Sequence, residues 1–340
     1  MLYGREDVRI ETMSLPPVGP GEVRVKIHAA LTCGTDLKVF KRGYHARMIV
    51  PPAVFGHEFA GVICETGAAT PGWTVGERVV AANSAPCGRC FYCQNGQENL
   101  CDDLLFLNGA YAESIVVPAR IVSKNLLRLN PGTAFADGAL TEPLACVQQG
   151  LSDCDPRPGQ SVLVIGAGPI GLMFVTLAKD AGCRVTLAGR GSARLETGRR
   201  LGADRVVDVS GVEDLAAYSK LLEAAPFDYV IEAVGKPETW ETSVRLARKG
   251  GTVNFFGGCP AGSKVALDTS LIHYSNLKLL ASFHHTPRTF RAALELIQRG
   301  VIRAADFVTG SAPLEALPEL FLSMAAGNRS VKTLIDPGVP

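Results

Sequence analysis

Four cysteines fall within one short segment, Cys87-x-x-Cys90-x-x-Cys93-x7-Cys101. Four soft thiolates, with no histidine and no carboxylate completing the set, suit a closed tetrahedral zinc whose role is structural. The competing reading, an iron–sulfur cluster, expects a different spacing and an electron-transfer setting. A second group of metal-ligating types is scattered: Cys33 in Cys33-Gly34-Thr35-Asp36, then Gly56-His57-Glu58, then Glu142-Pro143-Leu144. One thiolate, one imidazole and one or two carboxylates can hold zinc while leaving a position open for water or a substrate oxygen. Taken singly these residues say little, since most glutamates are merely solvated. Their joint order carries the reading.

Further on, Gly166-Ala167-Gly168-Pro169-Ile170-Gly171 has the form G-x-G-x-x-G. It follows an apolar run at 162–165 and opens a helical pattern, the context in which glycines shape a turn that lets a pyrophosphate approach a helix N-terminus. A glycine-rich turn that binds nothing is the alternative, and the flanking strand and helix argue against it. NAD enzymes usually carry an acidic residue on the ribose 2′-hydroxyl at the end of the next strand. Here that strand ends Ala188-Gly189-Arg190. No carboxylate stands at Gly189, and Arg190 with Arg194 supplies guanidinium groups able to pair with a 2′-phosphate. NADP(H) is therefore the expected cofactor, the other reading being two solvated arginines.

Two kinds of texture must position these residues. Up to about Cys146 the chain shows short alternating runs at 23–29, 60–65, 78–82 and 112–117, bounded by Pro-Gly pairs. This predicts an antiparallel, β-rich domain with a few helices. From Gln160 apolar strands alternate with helices: a strand at 161–165, a helix at 169–181, a strand at 184–188, a helix at 193–201, then strands around Val206, Tyr229, Thr252 and Leu277. That order predicts a doubly wound α/β domain with a parallel sheet covered on both faces. Helices at 287–300 and 314–326 and a strand at 331–335 follow, and this tail is expected to fold back onto the first domain. The expected division is 1–146 completed by 285–340, and 147–284.

The 34 basic and 33 acidic residues nearly cancel, which excludes an electrostatic footprint for nucleic acid or an anionic membrane. No uninterrupted apolar run is long enough to span a bilayer, and charges near Met1 break any secretory core. A cytoplasmic location is expected, where clustered cysteines read as metal ligands rather than disulfides.

Together these residues resemble the zinc-containing medium-chain alcohol dehydrogenases, in particular the sorbitol (polyol) dehydrogenase branch. The resemblance covers essentially the whole chain and includes Cys33-Gly-Thr-Asp36, Gly56-His-Glu58, the four-cysteine loop, Gly109-Ala-Tyr-Ala-Glu113, Glu142-Pro-Leu-Ala, Gly166 onward, Leu201-Gly-Ala-Asp204 and Lys332. It implies a GroES-like catalytic domain beside a Rossmann domain, two zinc ions per subunit and a homodimer or homotetramer. It makes Cys33, His57 and Glu58 ligands of the catalytic zinc, with Glu142 a fourth ligand or a partner through water. Simple alcohol dehydrogenases use cysteine at the Glu142 place. Cys146, four residues on, reads as a buried apolar side chain.

The same resemblance assigns Asp36 to holding the His57 ring, Thr35 to accepting the first proton, and Ala233, Val234, Gly235, Gly257, Ser282 and Phe283 to the nicotinamide end. Ordinary turns are the alternative for that last group. Lys332 is expected to reach the pyrophosphate. Many alcohol dehydrogenases end a proton relay on histidine five residues after the ligand cysteine, whereas this chain has Lys38. Lys38 thus either carries a proton, contacts a cofactor phosphate or faces solvent. His284 and His285 are left out of the ligand set, because neighbours on a strand point oppositely.

The activity implied is hydride transfer between a small secondary alcohol or polyol, or its ketone, and NADP(H). Its closest rival is a metal-free quinone or enoyl reductase of the same fold, for which neither ligand set would be needed. A non-catalytic scaffold of this fold would not require them either.

Overall fold

A computed structural model describes residues 1–45, 48–212, 215–222, 226–328 and 330–338. The chain separates into two units, Met1–Ala145 with His285–Pro340, and Cys146–His284, the division falling inside the helix Thr141–Cys154.

In the first unit the strand Val23–Leu31 buries alternate residues along most of its length, the signature of one face turned to a core. It pairs antiparallel with Phe59–Thr66, Ser114–Val117 and Lys332–Asp336. Among the described residues its sheet runs Val308–Pro313, Lys332–Asp336, Val23–Leu31, Phe59–Thr66, Arg78–Ala81, Leu126–Arg128. Val25, Ile27, Phe40, Phe55, Phe59, Ile63, Tyr111 and Phe321 pack in one cluster. The expected helix at 314–326 is in fact a 3-10 turn, Leu314–Ala316, then the helix Leu317–Ala325. Pro318 explains the break, since its missing N–H is tolerated only in a first turn.

The second unit holds a parallel sheet in the order Arg205–Asp208, Arg184–Gly189, Ser161–Ile165, Phe227–Glu232, Ala247–Phe255, Lys278–Leu280. Val162 to Ile165 are all buried, as a strand covered on both faces must be. The order reverses beside Ser161–Ile165, and such a switch point is where open α/β sheets bind ligands. No helix of the described residues is long and apolar enough to cross a membrane.

Candidate metal and cofactor sites

Cys33 ends the extended segment after Val23–Leu31 and caps the helix Gly34–Arg42, its sulfur accepting the Thr35 N–H at 3.4 Å. His57 and Glu58 immediately precede the strand Phe59–Thr66. Antiparallel pairing of these strands brings the two segments together, and ligand atoms of Cys33, His57 and Glu58 lie within 4.8 Å of one another. The His57 Nδ1–H donates to Asp36 Oδ1 at 3.0 Å, leaving Nε2 as the nitrogen available to a metal. Asp36 thus stands behind the ring rather than in reach of a substrate. Thr35 is half-buried in the helix's first turn, and Lys38 is exposed.

The electrostatics of this cluster suit a cation. Burial opposes a charged His57, yet the Asp36 carboxylate and the Cys33 thiolate hold its pKa well above the usual histidine range. Glu58, fully buried, is pushed up by desolvation that Lys332 and His57 only partly offset. One of its oxygens, Oε1, has no hydrogen-bond donor among the described residues. A thiolate, an imidazole and a buried carboxylate oxygen with a free lone pair are a donor set that zinc fits.

Glu142 stands beside this cluster, on the first turn of Thr141–Cys154. Desolvation raises its pKa to about 7, with Glu58 and Asp36 adding to the rise while His57 and Lys332 oppose it. Its Oε1 lies 4.0 Å from His285 Nε2, which sits 3.0 Å from Asn83 Oδ1. Strand alternation does not govern the histidine pair, because His284 adopts a φ of 61° and no strand runs through it. Thr286 caps the helix Pro287–Gln298 directly after His285 and fixes its entry. Cys146 is half-buried rather than buried.

Lys332 requires a correction. Instead of reaching a pyrophosphate it is 1% exposed, with Nζ donating to Glu58 Oε2 and to the Thr32 carbonyl. Burial works against its ammonium, but Glu58 and Cys33 outweigh that and raise its pKa. The strand Lys332–Asp336 carries it in beside Val23–Leu31, a placement that no local pattern announces. We expect Lys332→Met to lower the stability of the chelated protein by about 3–5 kcal/mol, the cost of leaving one member of a buried pair uncompensated. Urea unfolding measures it, and adding Glu58→Gln should recover most of the loss; without recovery the cause is packing.

The second cysteine set is equally compact, with Cys87, Cys90, Cys93 and Cys101 sulfurs within 4.8 Å of one another. Tetrahedral zinc–thiolate geometry needs sulfurs about 3.8 Å apart, so a small contraction suffices. Backbone N–H groups of Arg89 and Cys90 lower Cys87 to about 6, whereas desolvation pushes Cys93 up to about 12. The Cys87 N–H points at Cys101 Sγ, 3.2 Å away.

In the second unit Gly168 caps the helix Pro169–Asp180, with Pro169 in its first turn and Ile170 next. A Cβ on Gly171 would lie 1.8 Å from the Gly166 carbonyl oxygen, so helix and preceding strand approach as only glycine permits. Gly189 ends the strand Arg184–Gly189; Arg190 follows it, exposed, with Nη2 donating to the Val212 carbonyl at 3.1 Å. Arg194 lies in the first turn of the helix Ser192–Arg200. The turn Ala233-Val234-Gly235 is held by Glu232, a residue the sequence did not single out. Its carboxylate accepts the Val234 and Gly235 N–H groups at 2.9 and 3.0 Å and the Thr239 hydroxyl at 2.7 Å. Its carbonyl accepts Gly257 N–H at 2.8 Å, tying the 256–258 turn to the same point. Ser282 donates to Asp153 at 2.6 Å, and Phe283 is half exposed.

Comparison with known proteins adds to this geometry. Residues 19–126 match the alcohol dehydrogenase GroES-like domain, and residues 169–299 match the zinc-binding dehydrogenase family. L-idonate 5-dehydrogenase of Vitis vinifera is 30% identical over 98% of this chain and 93% of its own length. Sorbitol dehydrogenase of Bacillus subtilis is 25% identical over 99% of this chain and 96% of its own. A crystal structure from Sinorhizobium meliloti, described as a zinc-binding dehydrogenase bound to NADP, superposes with a TM-score of 0.90 at 31% identity, covering 99% of this chain and 98% of that one.

Proposed function

Because this chain belongs to the zinc-binding alcohol dehydrogenases of the polyol branch, we propose that it transfers hydride between a secondary alcohol or polyol, or its ketone, and NADP(H). The observation that carries this reading is the convergence of Cys33, His57 and Glu58 ligand atoms within 4.8 Å, with a buried Glu58 oxygen that has no donor among the described residues. When bound there, zinc supplies Lewis acidity to the substrate oxygen and the nicotinamide supplies the hydride acceptor.

The chain's own residues do the rest. Cys33, His57 and Glu58 hold the metal, with Glu142 beside them as fourth ligand or partner through water. Asp36 orients His57, and Thr35 accepts the proton released by the alcohol. Lys38, exposed on the same helix, leads that proton towards solvent. Arg190 and Arg194 take the 2′-phosphate, Gly166, Gly168, Pro169, Ile170 and Gly171 form the pyrophosphate turn, and Glu232 holds the 233–235 turn for the nicotinamide. Cys87, Cys90, Cys93 and Cys101 hold a second, structural zinc. The assembly proposed is a cytoplasmic homodimer or homotetramer.

Kinetics over a panel of secondary alcohols, polyols and their ketones with each nicotinamide test the reading. We expect turnover with NADP(H) that chelation abolishes and zinc restores. Undiminished turnover after complete metal removal would replace it with the metal-free reductase.

A further inference from the structure

The segment Gly109-Ala-Tyr-Ala-Glu113 resembles its counterpart in the family, yet none of its residues has a part in the chemistry above. Its placement gives it one. Gly109 and Ala110 both donate N–H groups to the Gly56 carbonyl, at 2.8 and 3.1 Å, and the Tyr111 N–H donates to the Phe55 carbonyl at 3.1 Å. The segment is thereby bonded to the two residues immediately before His57. The Tyr111 ring lies so close over Gly56 that a Cβ there would be 2.7 Å from it, and Gly56 takes a φ of 87°. Phe55 and Phe321 pack against the same ring with centroids 5.6 and 5.9 Å away.

The hydroxyl lies where the two ligand-bearing segments 31–36 and 55–58 meet. It is 2.6 Å from Asp36 Oδ2 and 3.1 Å from the carbonyl of Leu31, whose own N–H is bonded to the Glu58 carbonyl. A phenol has one hydrogen, and a 2.6 Å contact to a carboxylate is the short, charge-assisted kind. The proton therefore points at Asp36. Asp36 is 0% exposed, so no solvent can replace that donor. With Oδ2 fixed by Tyr111, Oδ1 is aimed at His57 Nδ1, which sets the tautomer and the ring plane that presents Nε2 to a metal.

We infer that Tyr111 is a positioning residue for the catalytic zinc, acting through Asp36 on His57 in a buried Tyr–Asp–His chain. This inference rests on the metal site proposed above. Tyr111→Phe isolates the hydroxyl, because the phenyl ring keeps its packing on Gly56, Phe55 and Phe321.

Zinc content of the purified holoenzyme is followed during titration with a chelator of known affinity, the four-cysteine zinc serving as reference in the same sample. We expect Tyr111→Phe to weaken retention of the catalytic zinc by about tenfold, the lower end for loss of an outer-shell partner, and to leave the four-cysteine zinc unchanged. In an Asp36→Asn background the same substitution should add no further loss. Wild-type retention in Tyr111→Phe, or an undiminished additional loss beside Asp36→Asn, overturns the inference while leaving the metal site standing. A wild-type chain that binds one zinc, lost on Cys87→Ser, overturns the metal site and the inference with it.

Discussion

Cys33→Ala protein should purify folded, with one zinc per chain, and turn over roughly a thousandfold more slowly than wild type or worse. The metal proportion follows from separation of the donor sets: Cys87, Cys90, Cys93 and Cys101 form their own compact group and lose nothing when Cys33 is replaced. The rate follows from the worth of a Lewis acid at a developing alkoxide, several kcal/mol, each 1.36 kcal/mol being tenfold. Stability should change little by comparison, since Cys33 is only half-buried and its sulfur makes a cap contact with the Thr35 N–H. Metal analysis beside steady-state kinetics reads both halves. Unchanged kcat with half the zinc would mean that these side chains serve no chemistry.

The double variant Arg190→Ala/Arg194→Ala should lose roughly a hundredfold in kcat/KM with NADP+ and change little with NAD+. Two charge-assisted contacts to a phosphate at about 1.5–3 kcal/mol each, discounted for solvent exposure, support that size. Arg190 is already held across the strand ends by the Val212 carbonyl, and the opening N–H groups of Ser192–Arg200 add attraction for an anion. The carboxylate at the end of the neighbouring strand, Asp208, accepts the Ser210 N–H at 2.8 Å. Added salt should shrink the difference between variant and wild type, as screening weakens an exposed charge pair. A wild-type preference for NADH would remove the basis of the assignment.

Much of this was legible before any coordinates. Strands covered on both faces, such as Ser161–Ile165, advertise themselves by unbroken apolar runs, and the glycine turn after it admits few other uses. Cysteine and histidine carry their chemistry in their type, so Cys33, His57 and the four-cysteine loop could be named from order alone. Asp36, which orients His57, could be named from the resemblance, but other residues that hold the site in place could not. Lys332 was singled out for a pyrophosphate, and only the pairing of Lys332–Asp336 with Val23–Leu31 reveals that it is buried against Glu58. His285 was set aside by strand alternation, which a left-handed residue at His284 suspends. Glu232 and Tyr111 matter through one carboxylate and one hydroxyl whose partners lie on other segments, a property of the fold rather than of local sequence.

The return of residues 285–336 to the first unit reverses the order of assembly. Val23–Leu31 is among the earliest strands to be synthesised, but one of its edges waits for Lys332–Asp336, and Glu58 waits about as long for its ammonium. The parallel-sheet unit, contiguous from Cys146 to His284, has all its partners long before then. During translation the middle of the chain can therefore mature first, while the opening segment, with its thiols and imidazole, stays an unfinished sheet longest. Until that closure, Cys33, His57 and Glu58 sit beside a sheet that still lacks one of its pairing edges.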